Sequence, residues 1–239
     1  MIRIAMWSGP RNISTAMMRA WENRIDTCVV DEPFYACYLN ATGVVHPMQQ
    51  EILASQSSDW QEVIDTELNR SGAQAETIQY QKHMTHHMVA DIDLDWFATL
   101  RHAFLVRNPY DVVASYTAKR EQVAAEDVGF ARQRELFDLV SQLSDTPAVV
   151  IDSKQVLLNP EAELTRLCNA LDVPFDTNML TWPAGRRDSD GVWASHWYQS
   201  VERSTGFAAY KEKQLSLSRN EREVAQECLP DYEYMMSFT

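Results

Sequence analysis

Residues 2–7 (IRIAMW) run apolar and stop at Ser8-Gly9-Pro10, the pattern of a short buried strand closed by a turn. Beyond the turn, Met17, Ala20 and Trp21 in residues 16–24 fall on one face at i, i+3, i+4 spacing, which predicts a helix. Residues 27–31 (TCVVD) then read as a second strand. Strand, polar turn, helix, strand is the opening of a parallel α/β sheet. The alternation continues, with strands predicted at 76–82, 102–107 and 147–151. Helical spacing covers about 47–57, 59–70, 109–122, 128–144 and 160–172, the last opened by Asn159-Pro160. Periodicity lapses over 176–206, rich in Trp, Pro, Gly, Asp and Ser, which predicts a long functional loop with a short helix rather than a linker. A last helix is predicted at 219–236, with two docking places open to it: the core, or a second copy in a homo-oligomer.

Length and charge narrow the picture. A chain of 239 residues without repeats or low-complexity tracts suits one domain over 1–239. A net charge of −13 argues against nucleic acid or an anionic membrane as partner, since both attract basic surfaces. A small anion remains a fitting ligand if donors gather locally. The four cysteines, Cys28, Cys37, Cys168 and Cys228, form no CxxC pair, so neither a zinc site nor a disulfide framework is expected. Reduced thiols and no apolar run long enough for a signal peptide or a span give the expectation of a cytoplasmic protein.

The candidate donor cluster is Pro10-Arg11-Asn12-Ile13-Ser14-Thr15, between a strand and a helix. Unpaired N–H groups and the positive end of the helix dipole favour a phosphate there, with Ser14 and Thr15 adding hydroxyls and Arg11 a planar cation. The loop is not a Walker A motif, because Ser14-Thr15 stands where that motif has Gly-Lys. This weighs against a nucleotide or nucleoside kinase. The same residues also fit a helix capped by Ser14 with Arg11 on the surface.

Two motifs resemble those of the sulfotransferases that use 3′-phosphoadenosine 5′-phosphosulfate (PAPS). One is Pro10 to Thr15, with Ile13 departing from the glycine usual in that family. The other is the apolar strand ending in Arg107, followed eight residues on by Ser115 inside the next helix. The likeness covers 1–35 and 100–120 well and the strand near 76–84 weakly. It implies a P-loop NTPase-like three-layer α/β fold, a central parallel sheet with helices on both faces. It implies that PAPS is the donor and adenosine 3′,5′-bisphosphate the product, with Arg107 and Ser115 on the 3′-phosphate and a small-molecule hydroxyl or amine as acceptor. Sulfuryl transfer needs a base for the acceptor proton and a cation on the leaving oxygen. Arg11 suits the cation. The base has two candidates: His83, preceded by Lys82, and Glu32, at the end of the second strand. His83, His86 and His87 have helical spacing, yet no HExxH or acidic ligand accompanies them, so no metal is expected. Arg186, Arg187 and Arg203 are further candidates for the nucleotide phosphates. A non-catalytic module that binds the bisphosphate without turnover fits the same motifs.

Overall fold

The computed structural model describes residues 1–70, 75–89, 94–118, 120, 122–143, 148–212 and 214–239. Five strands form its sheet: β1 (Ile2–Ser8), β2 (Thr27–Asp31), β3 (Ile78–Met84), β4 (Arg101–Val106) and β5 (Val149–Asp152). They lie in the order β2-β3-β1-β4-β5, every neighbouring pair parallel. The period of two along β1 divides the core. Ile4 and Met6 join one cluster, under Met17 and Trp21 of α1 (Ser14–Glu22) and Leu164 and Leu167 of α9 (Pro160–Ala170). Ala5 and Trp7 join the other, under Leu136, Phe137 and Val140 of α7 (Phe130–Leu143). Both faces of the sheet are thus covered, as near-continuous apolar parallel strands require. This is the expected three-layer α/β fold. β1 lies between β3 and β4, so the chain leaves it in opposite directions, and the crevice at the strands' carboxyl ends is where such sheets take ligands.

Boundaries shift where local chemistry intervenes. The helix predicted over 128–144 is broken at Gly129, φ 69°, into α6 (Ala125–Val128) and α7. Residue 144, residues 119 and 121 of the predicted 109–122 helix, and residue 147 of the predicted last strand lie outside the described residues. α5 spans Pro109–Thr117, with Asn108 accepting the Tyr110 N–H as its cap. The segment predicted at 47–57 is α3 (Gln49–Ser55), and that at 59–70 is α4 (Trp60–Val63) running into a π-helical turn, Ile64–Leu68. Two helices escaped the periodicity: α2 (Tyr35–Thr42), whose apolar residues show no single face, and α8 (Ser153–Leu158). α8 follows β5 with no turn between them, because Asp152 ends the strand and caps the helix through the Lys154 N–H.

Within 176–206 lie a 3₁₀ turn (Thr177–Leu180), α10 (Ala194–Trp197) and α11 (Gln199–Glu202). α12 (Arg219–Met236) docks on α5 and α7 of the same chain, with Tyr110 OH donating to Gln226 at 2.9 Å and Tyr234 OH to Asp138 at 2.7 Å. Among the described residues no helix is long and apolar enough to cross a membrane.

Candidate functional site

The loop between β1 and α1 is shaped by close approach and backbone bend. A Cβ at Gly9 would lie 2.5 Å from the Val128 carbonyl oxygen, so only glycine fits against the end of α6. Arg11 (φ 58°) and Ile13 (φ 48°) both adopt the left-handed region. That conformation explains why glycine is the easier residue at position 13, since a β-branched side chain is strained there. Asn12 anchors the turn by donating from Nδ2 to the Leu105 carbonyl at 2.5 Å. Ile13 stands at the N-cap of α1 and offers no side-chain acceptor, so the first-turn N–H groups have no cap.

Two arginines converge on this loop. Arg107, just past β4, donates from its guanidinium to the Arg11 carbonyl at 2.7 Å. Arg11 Nε donates to Ser115 Oγ at 3.0 Å. Residues 10–15, Arg107 and Ser115 therefore meet although the two motifs lie about ninety residues apart in sequence. Among the described residues neither guanidinium has an ion pair. Burial lowers both pKa values, and the facing Arg107 charge lowers that of Arg11 further. Two partly desolvated cations beside uncapped N–H groups suit a ligand with more than one anionic group, and a nucleotide bisphosphate is such a ligand.

A second polar cluster lies where β2 and β3 end. Asp31 and Lys82 are cross-strand partners in register. Lys82 Nζ donates to Asp31 Oδ1 at 2.9 Å, to Glu32 Oε1 at 2.6 Å and to Tyr198 OH at 2.5 Å. Tyr198 OH lies 2.8 Å from both Asp31 oxygens and accepts from Trp193 Nε1 at 3.1 Å. Burial, and after it the Asp31 charge, raises the Glu32 pKa against the opposing pull of Lys82, while the two carboxylates hold that of Lys82 well above its ordinary value. Glu32 has φ 42°, and its Oε2 stands 4.0 Å from His87 Nδ1.

The period of two along β3 separates Lys82 from its neighbour. Lys82 and Met84 line the cleft, and His83 points to the opposite face. There it stacks on Trp7 at 4.4 Å, bonds Gln81 Oε1 through Nε2 at 3.0 Å, and is 1% exposed. Burial pushes its pKa down to about 3. His83 thus lies outside the cleft that holds Glu32, Arg11 and the loop, whereas His86 and His87 are brought to it.

The late segment closes the site. Asp190 pairs with the buried Arg19 at 2.7 Å, and the Gly191 N–H donates to Asp31 Oδ2 at 3.2 Å. Ser204, Gly206 and Phe207 then line the cleft, but Arg186, Arg187 and Arg203 do not. Arg187 instead stands 3.6 Å from Glu22. Lys82, Asp31 and Tyr198 were not candidates in their own right. Lys82 had a signal only as the residue before His83, and Tyr198 only as part of the predicted functional loop, since its contact with Lys82 arises from chain folding back across about 116 residues. The cleft encloses about 370 Å³. Tyr35, Tyr38, His46, Tyr116 and Arg120 also line it. Among the described residues no three His, Cys, Asp or Glu side chains group as a metal site.

A family model described as "Sulfotransferase domain" matches residues 2–239. Two Arabidopsis thaliana proteins are similar along nearly the whole chain. "Branched-chain-amino-acid aminotransferase-like protein 1" is 32% identical over 234 residues, 98% of this chain and 41% of the relative. "Branched-chain-amino-acid aminotransferase-like protein 2" is 30% identical over 229 residues, 96% of this chain and 40% of the relative. The chain spans about two fifths of the length of these curated relatives. Among solved structures, a sulfotransferase from Alicyclobacillus acidocaldarius superposes with a TM-score of 0.54 at 10% identity, covering 99% of this chain and 95% of that one. The sulfotransferase domain of the curacin biosynthetic pathway does so with a TM-score of 0.51 at 15% identity, covering 94% and 96%. These two likenesses show the fold.

Proposed function

The chain belongs to the sulfotransferase family, and from that premise we propose that residues 1–239 act as one domain that moves a sulfuryl group from PAPS to a hydroxyl or amine of a small molecule. The observation that carries the reading is the pair of guanidinium groups, Arg11 and Arg107, at the uncapped start of α1, without ion-pair partners among the described residues, Arg107 bonded to the Arg11 carbonyl and Arg11 to Ser115. These residues fit the nucleotide: the loop N–H groups, Ser14, Thr15 and Arg11 would take the 5′ side, and Arg107 and Ser115 the 3′-phosphate. When bound, PAPS supplies an activated sulfuryl group. Arg11 is placed to offset negative charge that develops on the leaving phosphate oxygen, an electrostatic role that a partly buried cation performs better than an exposed one.

For the acceptor proton we assign the base to Glu32, not His83. Glu32 lines the cleft, and its Oε2 is free of the Lys82 hydrogen bond made by Oε1. A raised carboxylate pKa brings it nearer to working pH, as base catalysis favours. Lys82 and Tyr198 hold the carboxylate pair in place. The scheme draws its positive charge from Arg11, Arg107 and Lys82 and calls on no metal. Four free, buried cysteines support placing the reaction in the cytoplasm.

Calorimetric titration with adenosine 3′,5′-bisphosphate in EDTA tests the reading. Binding is expected without metal, and Arg107→Ala is expected to weaken it by roughly 10–100-fold, the scale of removing one charge-assisted hydrogen bond. Undiminished binding by that variant would sink the assignment.

A further inference from the structure

Four cationic side chains line the cleft: Arg11, Lys82, Arg107 and Arg120. Three are accounted for. Arg11 and Arg107 face each other at the phosphate loop, and Lys82 is saturated by Asp31, Glu32 and Tyr198. Arg120 is not. Among the described residues its side chain makes no hydrogen bond or ion pair, its Nε is buried without a partner, and its guanidinium carbon stands over the Tyr116 ring at 5.9 Å. A buried donor left unpaired is costly, so such a group in a cleft is suited to a ligand that pairs it.

Arg120 belongs to a part of the cleft with its own electrostatic neighbours. Its charge acts on Tyr35, Tyr38, His46 and Tyr116, whereas the charges felt by Arg107 are those of Asp111, Tyr210 and Asp152. Tyr35 links this part to Glu32, since it feels both charges and its backbone N–H donates to the Glu32 carbonyl at 3.1 Å. The imidazoles nearby add no positive charge near neutral pH, because burial pushes His46 down to about 4 and His86 to about 3. Asp127, the acid in this part, accepts the Ala124 N–H at 2.9 Å and makes no ion pair with Arg120.

Resting on the sulfotransferase reading above, we propose that the acceptor is a hydroxy or amino acid with an apolar or aromatic body, whose carboxylate is read by Arg120 among the tyrosines while its reacting group faces Glu32. The guanidinium offers the forked donors that a carboxylate accepts in pairs. Tyr35, Tyr38 and Tyr116 give flat surfaces for the body of the molecule.

The test uses two acids, 3-(4-hydroxyphenyl)propanoate and 3-hydroxydecanoate, beside their primary amides. Each is titrated into the protein saturated with adenosine 3′,5′-bisphosphate, and each is assayed for sulfation with PAPS. At least one acid is expected to exceed its amide at least tenfold in affinity or in kcat/KM. Arg120→Gln should bring that acid-to-amide ratio close to one, Arg120→Lys should restore part of it, and the Kd for the bisphosphate should stay within twofold. Equal handling of acids and amides overturns the inference. So does an Arg120→Gln variant that loses the bisphosphate as Arg107→Ala does, because Arg120 would then be a nucleotide residue. If the wild type fails to bind the bisphosphate, the transfer reading falls separately. Saturable, Arg120-dependent binding of an acid to the free protein would then still uphold the carboxylate site, and its absence would overturn it.

Discussion

Ile13 and Glu32 hold backbone conformations that their side chains disfavour, at φ 48° and φ 42°, and both line the cleft. A residue held there costs on the order of 1–3 kcal/mol and persists only where its surroundings fix it. For Ile13 the surroundings are the apolar cluster its side chain packs against and the Asn12 anchor to Leu105. For Glu32 they are Lys82 at 2.6 Å and the backbone bond from its own N–H to the Lys82 carbonyl at 2.9 Å. Buried beside Asp31, Glu32 has its pKa raised above the ordinary value of 4.5. A base works only when ionised, so kcat/KM should fall as pH drops through this raised value, at a pH above that for an ordinary glutamate. Asp31 is one cause of the rise, and its neutralisation removes that repulsion. Asp31→Asn should therefore move the acidic limb of the pH–rate profile to lower pH, even though an amide pairs less strongly with Lys82 and Tyr198. Glu32→Gln should lower kcat roughly 10²–10⁴-fold and abolish that limb. An acidic limb that stays in place or rises in Asp31→Asn would show that another group is the base.

At the scale of elements, the two motifs around Arg11 and Arg107 were legible because each is local: a turn opening a helix, and a strand running into one. The side of β3 that faces the cleft was not. A period of two shows that Lys82 and His83 point to opposite faces without showing which face meets the ligand. That depends on β3 lying between β1 and β2, with Asp31 in register with Lys82. The segment 176–206 was legible as a functional loop, but its partners were not, since they are far away in sequence: Arg19 for Asp190, Asp31 for the Gly191 N–H, and Lys82 for Tyr198. Docking of this segment rests heavily on Arg19 and Asp190, whose side chains are 1% and 0% exposed. Asp190→Ala strands a buried guanidinium, and breaking such a pair costs about 3–5 kcal/mol. The lower end is expected here, because Glu22 still stands 3.3 Å from Arg19. Denaturant unfolding should show a loss of about 3 kcal/mol, with the bisphosphate bound more weakly because Ser204 and Gly206 belong to the same segment. A variant as stable as the parent would mean that the segment is held by its apolar residues, Trp182 and Trp193, instead.

The molecule as a whole carries 34 acidic against 21 basic side chains. At physiological salt its net field is screened beyond about 8 Å, so an anionic nucleotide is attracted only where donors gather at short range. They gather where three parts of the chain meet: the β1–α1 loop, the β4–α5 junction, and residues 204–207. A ligand that joins these parts in the folded state and has no site in the unfolded chain stabilises folding by mass action. At a free concentration one hundred times Kd the gain is about 2.7 kcal/mol. For a chain of this size each kcal/mol is worth about 2–4 °C of Tm, so adenosine 3′,5′-bisphosphate should raise Tm by roughly 5–10 °C. Adenosine at the same concentration should give little shift, because it brings the base and ribose without the groups that Arg11 and Arg107 pair. Arg107→Ala should lose most of the shift with the bisphosphate, while its unliganded Tm falls by less than that, since the side chain breaks one hydrogen bond, to the Arg11 carbonyl, and no ion pair among the described residues. If adenosine matched the bisphosphate, recognition would lie in the adenine, and the facing arginines would need another anion to explain them.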